Sequence, residues 1–309
     1  MVTGGAGFIG SHIAEELVLR GYRTIVIDDL SSGKLENVQR LSNKSNFEFV
    51  KGSINDLALL QKVFFEVDYI FHHAALTSVS LSIDNPSQTN EVNVTGTLNV
   101  LIAARDNKIK KLVYASSSSV YGDNPVLPKT EDMIPNPLSP YAVAKLAGEY
   151  YCNVFRSVYG LTTVSLRYFN VYGPRQNPNH QYSAVIPKFI KAVKEEKPPV
   201  IFGNGKQTRD FVYVKDVVRA NILAAESDCT GVFNIGGGEN LSLNQLLGLI
   251  LIQTGKENIK PIYESERIGD IKDSLANINK AQIFGFKPEC SINRGLQETI
   301  ESMNIESMN

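Results

Sequence analysis

The chain opens on MVTGGAGFIGSH (residues 1–12), where Gly4, Gly7 and Gly10 fall between an apolar stub and a run that carries Ile9, Ile13 and Leu17 at helical spacing. Gly5, Gly7 and Gly10 also satisfy G-x-G-x-x-G, so the pattern alone leaves two turns open. Both share one physics: glycines permit a tight turn and close backbone approach, and the helix that follows offers unpaired N–H groups to an anion. The next apolar run, TIVID (24–28), ends in Asp28, 24 positions after Gly4. A glycine turn between a strand and a helix, followed by a strand ending in an acid, points to a dinucleotide pyrophosphate. Asp28 is placed to accept hydrogen bonds from the adenosine ribose and to repel a 2′-phosphate, which favours NAD over NADP. Asp29 adjoins it, so helix capping is the alternative role for Asp28. With only Met1 to Thr3 ahead of the turn, either the first strand is short or a few residues ahead of it are lacking.

Outward from the turn, short apolar runs alternate with helical patterns: TIVID, FEFV (47–50), VDYIFHHA (67–74), KLVYAS (111–116) and TTVSLRYF (162–169). Helices are expected from about Phe8 to Arg20, Pro86 to Arg105 and Pro140 to Tyr159. This alternation predicts an α/β fold with a doubly wound parallel sheet of the Rossmann type. Past Asn170 the composition shifts to Pro, Gly and Asn (VYGPRQNPNHQY, KPPVIFGNGKQ), which predicts a smaller C-terminal substrate-binding domain. The expected division is 1–170 for the dinucleotide and 171–309 mainly for the substrate, with about 211–236 returning to the first domain. The terminal ESMNIESMN reads as a frayed tail.

Of the 309 residues 43% are hydrophobic and 20% charged, enough to bury a sizeable core. Thirty-one basic residues against 32 acidic ones leave no overall field for nucleic acid or an anionic membrane, so any phosphate site must be built locally. The most apolar run, LLGLILI (246–252), is too short to span a bilayer, and nothing resembles a signal peptide. Cys152, Cys229 and Cys290 are far apart and odd in number, arguing against a disulfide framework and for a reducing cytoplasm. His12, His72, His73 and His180 show no ligand spacing, and no metal is expected.

SSSSVYG (116–122) has the composition of a solvated linker, yet it directly follows the strand-like KKLVYA (110–115), and strand ends are where open α/β sheets bind ligands. SPYAVAK puts Tyr141 and Lys145 four apart near a helix start, hence on one face, and no other of the 13 tyrosines has a lysine four positions on. Y-x-x-x-K is a loose pattern, equally met by two neighbours on a solvated face. A tyrosine is unreactive at its ordinary pKa of about 10, but a nearby ammonium and a cationic nicotinamide both favour the phenolate. Tyr141 then serves as a base near neutral pH.

Taken together, VTGGAGFIGSH, DNPSQTNEVNVTGTLNVL, SSSSVYGD, SPYAVAK, RYFNVYGPRQ, GNGKQTRDFVYVKDV and RIGDIKDSLANINKA make the chain resemble the extended short-chain dehydrogenase/reductases. Within them it is similar to the NAD-dependent nucleotide-sugar 4-epimerases, over nearly the whole length. The resemblance implies that Tyr141 removes the proton of the sugar 4-hydroxyl while the C4 hydride passes to NAD. The 4-keto sugar turns over, and hydride and proton return on the opposite face. Aligned on V-Y-G, Ser117 matches the catalytic hydroxyl, Ser118 is the next-best candidate and Ser119 touches the sugar. Lys145 is implied to contact the nicotinamide ribose. Further cofactor contacts are implied at Gly4, Gly7, Phe8, Ile9, Gly10, Asp28, Ala74, Ala75, Asn93 and Tyr168. Adenine contacts are implied at Ser53 and Ile54, although most relatives carry Asp where Ser53 stands.

For the UDP diphosphate the matched residues are Asn170, Arg209, Arg267 and Asp270, and a guanidinium fork suits a phosphate. Related 4,6-dehydratases carry acids just after the catalytic hydroxyl. Ser118 and Ser119 are poor substitutes, so epimerisation is favoured over elimination. Ser274 matches a position where glucose/galactose-restricted relatives carry tyrosine beside the C2 substituent. Serine leaves room for an acetamido group, and the expected substrates are UDP-N-acetylglucosamine and UDP-N-acetylgalactosamine, with the plain hexoses. A UDP-glucuronate 4-epimerase and a non-catalytic NAD-binding scaffold are the alternatives. The resemblance also implies a homodimer in which helices near 86–105 and 140–159 pair into a four-helix bundle.

Overall fold

A computed structural model describes residues 1–178, 184–266 and 272–306. Twelve strands occur among them: β1 (Val2–Thr3), β2 (Thr24–Asp28), β3 (Phe47–Lys51), β4 (Tyr69–His72), β5 (Lys111–Ser117), β6 (Thr163–Tyr168), β7 (Asn170–Tyr172), β8 (Val200–Phe202), β9 (Thr208–Tyr213), β10 (Gly231–Ile235), β11 (Asn240–Ser242) and β12 (Ile262–Glu264). The α-helices are α1 (Phe8–Leu19), α2 (Glu36–Gln39), α3 (Leu57–Val63), α4 (Val79–Asp84), α5 (Pro86–Asn90), α6 (Gly96–Asp106), α7 (Pro140–Tyr159), α8 (Val185–Lys194), α9 (Val214–Glu226), α10 (Leu243–Thr254) and α11 (Ile292–Glu306).

Seven strands form one parallel sheet in the order β10-β6-β5-β4-β1-β2-β3. It is covered on both faces, as the continuous apolar runs require: Val26 joins one core with Ile13 and Leu17 of α1 and Val217 of α9. Its neighbours Ile25 and Ile27 point the other way, into a second core with Leu60 of α3, Leu101 of α6 and Phe155 of α7. This is a doubly wound Rossmann-type sheet. β1 lies between β2 and β4, where the chain's winding direction reverses, so the crevice beyond the ends of β1 and β4 is the expected ligand edge.

All five strands expected after the first are present, and β1 has two residues, Val2 and Thr3, both fully buried. α1 and α7 lie where periodicity placed them. α7 starts at an N-cap, Ser139, whose hydroxyl accepts from Ala142 N at 3.2 Å, has Pro140 in its first turn, and stops at Gly160 in the left-handed region. The helix expected across Pro86 to Arg105 is instead interrupted by a π-helical turn, Glu91–Thr95, between α5 and α6. Two demands meet there: Gly96 lies so close to Ile54 that a Cβ would stand 2.5 Å from its Cδ1, and Asn93 must reach Leu76. Widening one turn is how a helix satisfies two such anchors in succession.

After β7 the chain builds two small sheets, β11-β9-β7 and β12-β8, over an apolar core of its own that includes Ile186, Phe189 and Ile190 of α8 and Leu246 of α10. The strand β10 returns from this later part to the large sheet and pairs with β6 from Gly231 to Ile235.

Candidate active site

Gly4 has φ 68°, and a Cβ there would stand 2.5 Å from Ala74 N; one on Gly10 would stand 2.3 Å from the Gly4 carbonyl oxygen. Glycine is therefore required at both positions for the turn to pass between β4 and α1. α1 begins at Gly7 with no side-chain cap, leaving first-turn N–H groups at Phe8, Ile9 and Gly10 for an anion. The Phe8 and Ile9 side chains pack against the small-sheet core, so these two residues offer a cofactor their backbone. Asp28 caps no helix. Its carboxylate accepts from Ala6 N at 2.9 Å and Leu30 N at 2.8 Å, tying β2 to the glycine turn. Burial pushes its pKa up and these N–H groups pull it down. An ionised carboxylate has lone pairs to spare beyond those two, which suits ribose hydroxyls.

Behind the turn runs a buried hydrogen-bond chain. The Thr97 hydroxyl spends its proton on the Asn93 carbonyl at 2.7 Å, so at 2.9 Å it accepts from His72 Nε2, leaving His72 Nδ1 to accept from the Thr3 hydroxyl at 2.7 Å. Asn93, within the π turn, donates through Nδ2 to Leu76 O and accepts through Oδ1 from Leu76 N, both at 2.8 Å. It thereby anchors the loop after β4 that carries Ala74 and Ala75. At the opposite corner the Ser53 hydroxyl accepts from Asn55 N at 3.2 Å, while Ile54 is buried in the core and can meet a ligand only through its backbone.

The serine quartet is no linker. Ser116, at the end of β5, is buried and donates to Glu149 on α7. Ser117 caps a 3-10 turn, Ser118–Tyr121, its hydroxyl accepting from Ser119 N at 3.2 Å, and the Ser119 hydroxyl is buried with no partner. Tyr141 enters from the start of α7, its N–H donating to the Ser82 hydroxyl of α4 at 3.1 Å. Burial raises the phenol's pKa and a hydrogen bond from Ser117 lowers it. Lys145 donates to the Ala115 carbonyl at 2.9 Å and lies 5.2 Å from the centre of the Tyr114 ring and 5.9 Å from that of Tyr141. Burial brings its pKa down to about 8. Of the two cations expected to acidify the phenol, the lysine thus does not offset burial in this arrangement. The trio Ser117, Tyr141 and Lys145 stands at the sheet edge that also carries the glycine turn.

A family description, the NAD dependent epimerase/dehydratase family, matches residues 1–236. The chain belongs to that family. It is 40% identical over 311 residues to the UDP-glucose 4-epimerase of Mycolicibacterium smegmatis, covering 99% of both chains. It is 37% identical over 319 residues to the UDP-glucuronate 4-epimerase of Thermodesulfobacterium geofontis, covering 99% of this chain and 97% of the relative. Among solved structures it superposes with TM-score 0.96 and 44% identity on the UDP-N-acetylglucosamine 4-epimerase of Methanobrevibacter ruminantium in complex with UDP-N-acetylmuramic acid, covering 99% of this chain and 97% of that one.

In this member of the epimerase/dehydratase family the matched residues of the later part of the chain contact one another. Asn170 donates through Nδ2 to the Asp210 carbonyl at 3.0 Å and to the Ser274 hydroxyl at 3.3 Å, and Ser274 also accepts from Asp210 N at 3.3 Å. Asn170 and Ser274 are thus brought together. Arg209 donates to the carbonyls of Thr208, at 2.9 Å, and Lys272, at 3.1 Å. Arg267 and Asp270 lie outside the described residues. Tyr168 donates its hydroxyl to Asn221 Oδ1 at 2.9 Å and stacks on His73.

Two features escaped the sequence reading. Asp210 is fully buried and accepts from the N–H groups of Gly237, Gly238 and Ala276, at 2.5, 3.1 and 2.9 Å, yet burial still brings its pKa up to about 6. The signal was an acid directly before the apolar Phe211, Val212 and Tyr213 of β9. The other is Glu149, four positions beyond Lys145 on the same helix face, treated below. Among the described residues no group of three metal-ligating side chains occurs.

Proposed function

We propose that the chain is an NAD-dependent 4-epimerase of UDP-sugars, acting on UDP-N-acetylglucosamine and UDP-N-acetylgalactosamine and also on UDP-glucose and UDP-galactose. The observation that carries this reading is the convergence of Ser117, Tyr141 and Lys145 on the sheet edge beside an uncapped glycine-started helix. The backbone at Gly4, Gly7, Phe8, Ile9 and Gly10, with Asp28, would hold NAD, which when bound supplies a reversible hydride acceptor at C4 of the sugar. Tyr141 removes the 4-hydroxyl proton and later returns it, Ser117 holds the sugar oxygen through both half-reactions, and Lys145 would contact the nicotinamide ribose. With serine at 118 and 119 there is no second acid to expel a hydroxyl, which favours inversion over elimination.

The wider N-acetyl range rests on Ser274, a small side chain whose hydroxyl is already engaged by Asn170 and Asp210. A UDP-glucuronate 4-epimerase is the second reading, favoured by the similarity to the Thermodesulfobacterium enzyme. We assign cofactor binding to residues 1–170 with about 211–236, and sugar-nucleotide binding mainly to 171–309. We further propose a cytoplasmic homodimer that pairs through α7 and the helices of residues 86–106.

The purified protein is incubated in turn with UDP-N-acetylglucosamine, UDP-glucose and UDP-glucuronate, and the C4 configuration of each product is identified. Inversion of the first two is expected, inversion of the third alone selects the second reading, and inversion of none defeats both. Tyr141→Phe should lower the rate by roughly 10²- to 10⁴-fold with NAD binding retained.

A further inference from the structure

Glu149 and Arg167 form an ion pair with side-chain exposures of 3% and 4%. The contact is a two-pronged fork, Arg167 Nε to Glu149 Oε1 at 2.9 Å and Nη2 to Oε2 at 2.7 Å. Such pairs seldom add stability over apolar side chains of similar volume, because desolvating both charges offsets their attraction. What this one touches is more telling than its strength. The same Glu149 Oε1 accepts from the Ser116 hydroxyl, and Ser116 stands directly opposite Arg167 across the β5–β6 pairing. The guanidinium carbon lies 4.7 Å from the centre of the buried Tyr121 ring, and the Tyr121 hydroxyl donates to Asn234 Oδ1 at 2.7 Å. Ser116 and Tyr121 bracket Ser117, Ser118 and Ser119. On α7, Glu149 continues the series Tyr141, Lys145 at helical spacing, all on one face.

One buried unit therefore grips the serine segment at both ends and the tyrosine-bearing helix two turns behind the phenol. We propose that Glu149 and Arg167, with Ser116 and Tyr121, are positioning residues that fix the separation of the Ser117 hydroxyl from the Tyr141 phenol and the Lys145 ammonium. This rests on the epimerase reading given above. None of the four touches sugar or cofactor in this role. A misplacement on the order of 1 Å at a reacting group costs about 100-fold in rate, so a rigid, directional clamp has more to contribute here than an apolar contact of equal volume.

The decisive variant is Glu149→Met/Arg167→Met, which removes both charges together and leaves neither buried alone. The double variant should unfold within a few degrees of the parent, bind NAD and UDP-sugar with KM changed by less than about threefold, and lose roughly 10- to 100-fold in kcat. The acid limb of its kcat–pH profile should move to higher pH. Arg167→Lys, which keeps the charge but not the fork, should show the same kcat loss. Ser116→Ala, which leaves the ion pair in place, should lose several-fold in kcat at unchanged KM. Should the double variant not fold, the last two decide the matter.

The phenolate absorbance of Tyr141, taken as the difference from Tyr141→Phe with NAD bound and no sugar present, should titrate at higher pH in each variant than in the parent. A parent that inverts no UDP-sugar defeats the epimerase reading, whereas this titration still tests the clamp. Parent-like kcat and phenol titration in the variants that fold would overturn it, leaving the pair a structural contact.

Discussion

Ser274 is the single side chain on which the proposed N-acetyl range rests. Its hydroxyl is held by Asn170 Nδ2 and Asp210 N, and the residue is only 8% exposed. A tyrosine there must abandon both contacts, and in the proposed reading it takes the space of the sugar's C2 substituent. Ser274→Tyr is expected to depress kcat/KM for the N-acetylated UDP-sugars by at least 10-fold while altering UDP-glucose turnover by less than about 3-fold, a steric discrimination of the size pocket contacts achieve. Equal effects on the two substrates, measured side by side, would contradict this account. Ser117, Tyr141 and Lys145 were legible at this scale because type and spacing are sequence properties. The protonation of the phenol was not: it depends on burial and on where an ammonium four residues away finds a carbonyl, here Ala115, and neither is written in a spacing.

Elements carry constraints that single residues do not. α7 lies so close to β5 that a Cβ on Gly148 would stand 2.2 Å from the Tyr114 hydroxyl oxygen and 2.4 Å from Cζ. Tyr114 in turn lies beneath the Lys145 ammonium. Gly148→Ala should therefore destabilise by about 1–3 kcal/mol, visible as a lower denaturation midpoint, and should slow turnover by shifting Lys145. In a double-mutant cycle with Tyr114→Leu the two losses should be less than additive; strict additivity would show that the contact does not matter. The helices with clear caps, such as α7, were readable to the residue. The π turn was not, because residues 86–105 are periodic enough for one helix, and the interruption comes from Ile54 and Leu76, both distant in sequence.

Across the whole molecule, among the described residues, burial chiefly pulls the pKa of His12 down to about 4, of His73 to about 3 and of His72 well below its ordinary value. Below about pH 6.5 the unfolded chain takes up protons that these groups refuse. Stability should fall as pH drops from 6.5 toward 4, by roughly 1.4 kcal/mol per pH unit for each histidine. Asp210, raised to about 6, works the other way with one proton over the lower part of that window. Urea unfolding at pH 7, 6 and 5 should therefore give successively lower stability, and a flat profile would contradict this assignment. Assembly is tested at the same scale. Val143, Tyr150, Val154 and Val158 form an exposed apolar stripe along α7, and Val154→Glu should convert a sedimenting dimer to monomer; a parent that sediments as monomer would exclude the pairing.

The place of β10 bears on how this chain is made. The apolar edge of β6, with Val164 and Leu166 fully buried, is covered only when residues 231–235 arrive. A ribosome emitting the amino-terminal half would hold a sheet with one raw flank for some sixty residues of further synthesis. Severing the gene after residue 170 would leave that flank open for good, and a sticky fragment, not a small cofactor-binding protein, is the product to expect.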